Sequence, residues 1–244
     1  MSEEPLVSVF LPSYNKPDYV VQAIQSVLDQ SYGNWELWLL ENSDDDGHTR
    51  TVLKDLGVTE NPKIIYEEIE YTPEERRAVY PTAELLNKYY PWAQGKYIFY
   101  LSDDDLFDPD CFETCVTFLE AGGHEACWFS LRIVYVDGPD TGPFPDGPAS
   151  GSRPGCTGIA ADRTVGAGYE MALNCKMDGG QIVHTKEVLS RIAQPYFPQT
   201  NDYFTRQCDG FFLTKLAHAC VIPNIQKYLA THRTTPVSTW TKHN

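Results

Sequence analysis

The chain has 244 residues, 42% of them apolar and 13% aromatic, enough to bury a sizeable core and unlike a disordered sequence. Its 34 acidic residues against 19 basic give a net charge of −15, which argues against a nucleic-acid partner, because phosphate backbones are held by clustered Lys and Arg. No stretch approaches the roughly 20 uninterrupted apolar residues of a membrane span, and the acidic opening "MSEEPLVSVF" is unlike a secretory signal, so a cytoplasmic protein without an integral membrane segment is expected.

In chain order, "LVSVFLP" (Leu6 to Pro12) is short and β-branched and predicts a strand. Behind Pro17, Val20, Val21, Ile24, Val27 and Leu28 recur at helical spacing, which completes a β-α unit. "WELWLLEN" (Trp35 to Asn42) is the next strand, His48 to Gly57 a short helix stopped by its glycine, and "KIIYEE" a third strand. A helix over about Thr82 to Ala93, closed by Gly95, precedes the strand "KYIFYLS". After an acidic run, a further helix covers about Pro109 to Ala121. In the second half "CWFSLRIVYV" and "DGGQIVHT" read as strands, "KEVLSRIA" as a short helix, and "DGFFLTKLAHAC" as a helix starting at or near Asp209. Asp137 to Gly168 is rich in Gly and Pro and predicts a long loop. The segment 224–244 lacks clear periodicity and reads as a C-terminal loop or tail.

Strands separated by single helices imply right-handed crossovers and a Rossmann-like, doubly wound, mostly parallel sheet with helices on both faces. Such a sheet binds ligands at the carboxyl ends of its strands. The polar segments "SYN", "ENSDDD" and "SDDD" all fall at those ends. Asp103, Asp104 and Asp105 follow an aromatic strand directly, and two readings compete: a solvated strand-to-helix turn, or a divalent-metal site that relieves the repulsion of neighbouring carboxylates. The seven cysteines are odd in number and lack paired C-x-x-C spacing, so most read as small core residues rather than disulfides or zinc ligands. His184 and His218 lie in apolar patterns and read as core histidines, while Asp44, Asp45 and Asp46 read as a solvated turn.

"VSVFLPSYNKPDYV", "LLENSDDDG" and "LLNKYYPWAQGKYIFYLSDDDLFDPD" together resemble family 2 glycosyltransferases of the GT-A fold, with a looser match in "DGGQIVHTKEVLSRI" and "QCDGFF". The resemblance implies a single domain whose residues 1–122 hold the nucleotide-sugar and the metal, and whose residues 123–223 hold the acceptor. It implies Mn²⁺ or Mg²⁺ bound by Asp104, with Asp103 as a second metal or ribose contact. The donor, a UDP- or dTDP-linked sugar, is expected to meet Pro12, Ser13, Tyr14, Asn15, Glu41, Arg76, Asn87, Asp103, Asp104, His232 and Arg233. Glu41 stands where the family usually has an Asp that reads the pyrimidine. Asp178 and Gly179 are expected to line the site of a small-molecule or glycan acceptor. Asp209 falls at the position of the family's catalytic base, although an Asp at a helix start also serves as an N-cap; Asp202 is the reserve candidate. The implied reaction is a metal-dependent, inverting transfer of one sugar. A sugar nucleotidyltransferase is disfavoured because "LPSYNKPDY" has no glycine to cradle a triphosphate, and a catalytically silent nucleotide-sugar-binding protein stays open.

Overall fold

The computed structural model describes residues 4–136, 179–198 and 208–236. The first half is built from β1 (Val7–Ser13), α1 (Pro17–Leu28), β2 (Trp35–Glu41), α2 (His48–Asp55) and β3 (Ile64–Glu68), then α3 (Pro73–Ala78), α4 (Pro81–Tyr89) and β4 (Tyr97–Tyr100). β1 lies between β2 and β4 in parallel pairing, and β3 adds in parallel outside β2. Period-two alternation sorts these strands onto two faces. Val9, Leu11, Leu37, Leu39 and Phe99 pack with Val20, Ile24 and Val27 of α1. Phe10, Trp38, Leu40 and Ile98 pack on the other face against Leu85, Leu86 and Tyr89 of α4.

The rest comprises β5 (Leu106–Phe107), α5 (Cys111–Gly122), β6 (Ala126–Tyr135), β7 (Ile182–Thr185), α6 (Cys208–Ala219) and β8 (Asn224–Thr234). The sheet runs β3-β2-β1-β4-β7-β6-β8-β5. β7 is antiparallel to both β4 and β6, β8 is parallel to β6, and β5 is antiparallel to β8. The mixed, mostly parallel sheet with helices on both faces is therefore as expected. Because two antiparallel steps separate β4 from β6, the carboxyl ends of β1, β2, β4, β6 and β8 all point one way.

Several local expectations need correction. Residues 224–234 form strand β8 within the sheet and not a tail. Its exposed first half, Gln226 to Tyr228, hides the alternation, and its pairing with β6 is long-range and invisible to periodicity. His218 is exposed, whereas His184 is buried as expected. "KEVLSRIA" forms a 3-10 turn over Glu187–Arg191. The short α3 buries none of its residues and is held by a capping box in which Thr72 and Glu75 bond reciprocally. Cys111, Cys115 and Cys127 are buried free thiols. No helix among the described residues is long and apolar enough to cross a membrane.

Candidate active site

β1 and β2 end in register at Ser13 and Glu41, and their loops are laced together. The Ser13 carbonyl accepts from Asn42 N at 3.0 Å and from Asn42 Nδ2 at 2.8 Å. Asn15 adopts a left-handed backbone (φ 52°), which turns the chain toward β2. There Asn15 N donates to Ser43 Oγ at 2.8 Å and its side-chain amide to Asp44 Oδ1 at 2.7 Å. Tyr14 is 40% exposed, and its ring is covered by the Arg76 guanidinium 4.4 Å from its centroid. Arg76 also donates to Asn42 Oδ1 and lies 3.3 Å from Asp44. The amide of Asn15, with help from the Tyr14 hydroxyl and Arg76, holds the Asp44 carboxyl below its usual range. Asp44 is thus exposed but bonded, in contrast to the free solvated turn expected.

Glu41 is wholly buried. Its Oε1 accepts from Ser43 N at 2.6 Å and its Oε2 from Arg50 Nε at 2.7 Å. The longer side chain of Glu reaches past the position a shorter Asp would occupy and pairs with α2.

At the end of β4 the triplet is divided among four partners. Tyr14 N donates to Asp103 Oδ2 at 2.8 Å. Lys16 Nζ lies 2.7 Å from Asp103 Oδ1 and 2.9 Å from Asp104 Oδ2. Asp105 accepts from Arg233 N at 2.9 Å and lies 3.1 Å from His232 Nδ1. Burial raises the Asp103 carboxyl pKa, with the Asp104 charge adding to it and Lys16 opposing. Burial works against the Lys16 ammonium too, but the two carboxylates hold its pKa above the ordinary lysine value.

His232 therefore adjoins the triplet, whereas Arg233 corrects an expectation. It is 0% exposed, and its guanidinium bonds the Asp104 carbonyl and Gln22 Oε1 and lies 5.2 Å from the Tyr19 ring centroid. It braces the triplet from below and cannot touch a donor while so buried.

A divalent cation fits this donor set. Asp103 and Asp104 already converge on a single cationic atom, and both are hard oxygen ligands. No group of three or more His, Cys, Asp or Glu is arranged as a metal cage among the described residues.

Asp209 opens α6 beside the same sheet end. Gly179 N donates to Asp209 Oδ2 at 3.2 Å, and the carboxyl borders a pocket lined by Tyr90, Tyr100, Phe197 and Phe212. Tyr100 ends β4, two residues before Ser102 and the triplet, so this one strand end adjoins both acidic groups. The Asn87 side-chain amide bonds Phe197 N at 2.9 Å and Phe197 O at 2.8 Å, so it fastens the pocket wall. Asp178 and Asp202 lie outside the described residues.

The sequence model of Glycosyl transferase family 2 matches residues 8–154. The chain belongs to this family. Among curated relatives, Protein CgeD of Bacillus subtilis (strain 168) is 33% identical over 132 residues, covering 54% of this chain and 30% of CgeD. TuaG of the same organism, assigned to teichuronic acid biosynthesis as a glycosyltransferase, is 33% identical over 151 residues, 60% of this chain and 55% of TuaG. The chain thus spans about a third to a half of these relatives. The S. aureus TarS structure aligns with TM-score 0.60 at 14% identity, over 94% of this chain and 37% of TarS. Mannosyltransferase PcManGT from Pyrobaculum calidifontis, solved with GDP-Man and Mn²⁺, aligns with TM-score 0.59 at 18% identity, over 95% of this chain and 57% of that one. At such identities the likeness is one of fold, and the mixed sheet of this family 2 member is the GT-A fold.

Two residues of the site escaped the sequence reading. Lys16 is the sole cation in "SYNKPDY" and sits opposite an acidic triplet in an acidic chain, a charge contrast that could have flagged it. Arg50 gave no such signal, since its pairing with Glu41 depends on how α2 packs beside β2.

Proposed function

We propose that this family 2 glycosyltransferase moves a single sugar from a nucleoside diphosphate sugar, UDP- or dTDP-linked, to an acceptor hydroxyl with inversion. The convergence of the buried Asp103 and Asp104 carboxylates on one cation position, beside the Asp209 pocket, carries the reading. A bound Mn²⁺ or Mg²⁺ at that position would supply the charge that offsets the leaving diphosphate.

The chain's own groups do the rest. Tyr14 offers the base a flat surface once Arg76 shifts from its face, and Arg76 and Asn15 supply donors around it. Ser13 Oγ is buried without a hydrogen-bond partner at the end of β1 and, like Arg233, would have to be uncovered before it could meet the donor. His232 borders the triplet from β8 and lies within reach of the diphosphate. Asp209 accepts the acceptor's proton as the new bond forms, which a carboxylate can do because the hydroxyl turns acidic only in the transition state. Gly179, lacking a side chain, leaves the acceptor room beside that carboxyl.

A neighbour in fold, TarS 1–349, was solved with UDP-GlcNAc, and PcManGT with GDP-Man and Mn²⁺, which supports a nucleotide-sugar donor and a divalent cation here. TuaG's assignment to teichuronic acid biosynthesis supports a glycan acceptor. The test is calorimetric titration of UDP, dTDP and GDP with and without Mn²⁺ into wild type and Asp104→Ala. Mn²⁺-dependent binding that Asp104→Ala abolishes is expected; equal affinity in both proteins removes the metal role.

A further inference from the structure

We infer that Lys16 is a stand-in cation for the Asp103–Asp104 pair, displaced when a divalent ion binds and then free to meet the donor's diphosphate. The inference rests on the metal reading above and adds to it a residue and an order of events.

The geometry is that of a neutralising ion. Lys16 Nζ bridges one oxygen from each carboxylate at 2.7 and 2.9 Å, and its side chain is only 12% exposed. The Lys16 carbonyl accepts the first helical bond of α1 from Val20 N at 3.0 Å, so its backbone is fixed at the helix entry while the side chain extends to β4. Any rearrangement there falls on four flexible carbons. A lysine suits that task, being a compact point charge on a mobile stem, where an arginine fork would fix one planar geometry.

Charge balance gives the direction of exchange. Lys16 brings one positive charge to the two carboxylates it bridges, Asp103 and Asp104, one fewer than that pair carries. Arg233 is locked in the core and cannot leave. A divalent ion replacing Lys16 makes up the shortfall. The two cations cannot share the pair, because like charges about 3 Å apart in a partly buried site repel by several kcal/mol. The displaced ammonium then faces the cleft into which the donor's phosphates must enter. Metal and diphosphate thus favour each other: the metal releases Lys16 for the phosphate, and the phosphate removes the competitor of the metal. Without nucleotide, Lys16 holds metal affinity down and keeps the triplet folded.

Mn²⁺ binding to nucleotide-free protein, followed by electron paramagnetic resonance of the free ion, tests this. Lys16→Met is expected to bind Mn²⁺ at least tenfold more tightly than wild type, and the further gain on adding UDP is expected to shrink. Equal or weaker binding by the folded variant overturns the exchange. Because removing the ammonium leaves two buried carboxylates unbalanced, a second measurement uses wild type alone. Lys16 acylation by a water-soluble active ester, read by peptide mass spectrometry, is expected to speed up several-fold with Mn²⁺ alone and to slow again with UDP. Acylation unmoved by Mn²⁺, in protein that still binds Mn²⁺ with UDP, overturns the exchange and leaves the metal reading standing. Absence of Mn²⁺ binding even with UDP overturns both.

Discussion

The main-chain N–H of Arg233 donates to Asp105 Oδ1 at 2.9 Å, so strand β8 clamps the acidic triplet that ends β4. The buried guanidinium of the same residue holds the Asp104 carbonyl and Gln22. Arg233→Met removes those charged donors and leaves their buried partners unsatisfied, which costs roughly 2–6 kcal/mol at about 1–3 for each of the two orphaned groups. A urea midpoint that falls accordingly, together with weaker nucleotide binding, is the expected result. Arg233→Lys keeps the charge without the fork and is expected to lie between the two. An unchanged midpoint in Arg233→Met would show that the triplet is held by β4 alone.

Gly95 is required by a close approach of backbones. Its N–H donates to Ser8 Oγ at 2.8 Å, and a Cβ built there lies 2.5 Å from Ser8 N and 2.9 Å from Leu6 O. Those are main-chain atoms of β1 and of Leu6 just before it, and they cannot swing aside. Gly95→Ala is expected to lose about 3 kcal/mol, the upper end for overpacking. Thermal or urea unfolding measures it, and a loss under about 0.5 kcal/mol, the scatter of neutral surface changes, would contradict the packing.

What the sequence made legible follows from the range of the interactions involved. β1 to β4 and their helices repeat apolar residues at periods of two and 3.6, and the strand ends follow from that order alone. The triplet is legible because adjacent like charges at a strand end call for a counter-charge. Which cation answers them is not, since Lys16 and Arg233 come from opposite ends of the chain. The pairing of β8 is not legible because its outer half is polar, and the Glu41–Arg50 pair is not because only tertiary packing brings the two together. Asn87 keeps its spacing for Phe197, 110 residues away.

His184 gives the fold a pH dependence. It is buried 5.2 Å from the Phe212 ring, and burial pushes its pKa down to about 4 from an ordinary 6.5. The folded protein keeps it neutral while the unfolded chain takes up a proton below pH 6.5, so the unfolded state binds more protons and stability falls as pH falls from about 6.5 toward 4. At 1.36 kcal/mol per pH unit the loss approaches about 3 kcal/mol at the lower end. His184→Leu is expected to remove that component. The check is the difference in unfolding free energy between the two proteins across this window; a difference independent of pH would mean that His184 titrates normally in the fold.

Asp209 and Gly179 separate chemistry from binding. Asp209→Asn keeps the side chain's shape but cannot take a proton, so transfer is expected to fall by about 10²–10⁴-fold while Mn²⁺-dependent nucleotide affinity stays unchanged. Gly179→Ala acts on the same carboxyl from outside: its Cβ would stand 3.4 Å from Asp209 Oδ1 and 3.2 Å from the Tyr100 ring, tight enough to turn the carboxyl or narrow the acceptor's room. It is expected to lower turnover by about tenfold or more, as small misplacements of reacting groups do, again without weakening the donor. Steady-state transfer with saturating donor, paired with nucleotide titration, distinguishes the two effects. The anomeric configuration of the wild-type product decides the mechanism. Inversion fits Asp209 as sole base, while retention calls for a side-chain nucleophile on the opposite face of the sugar and would rule out a single displacement.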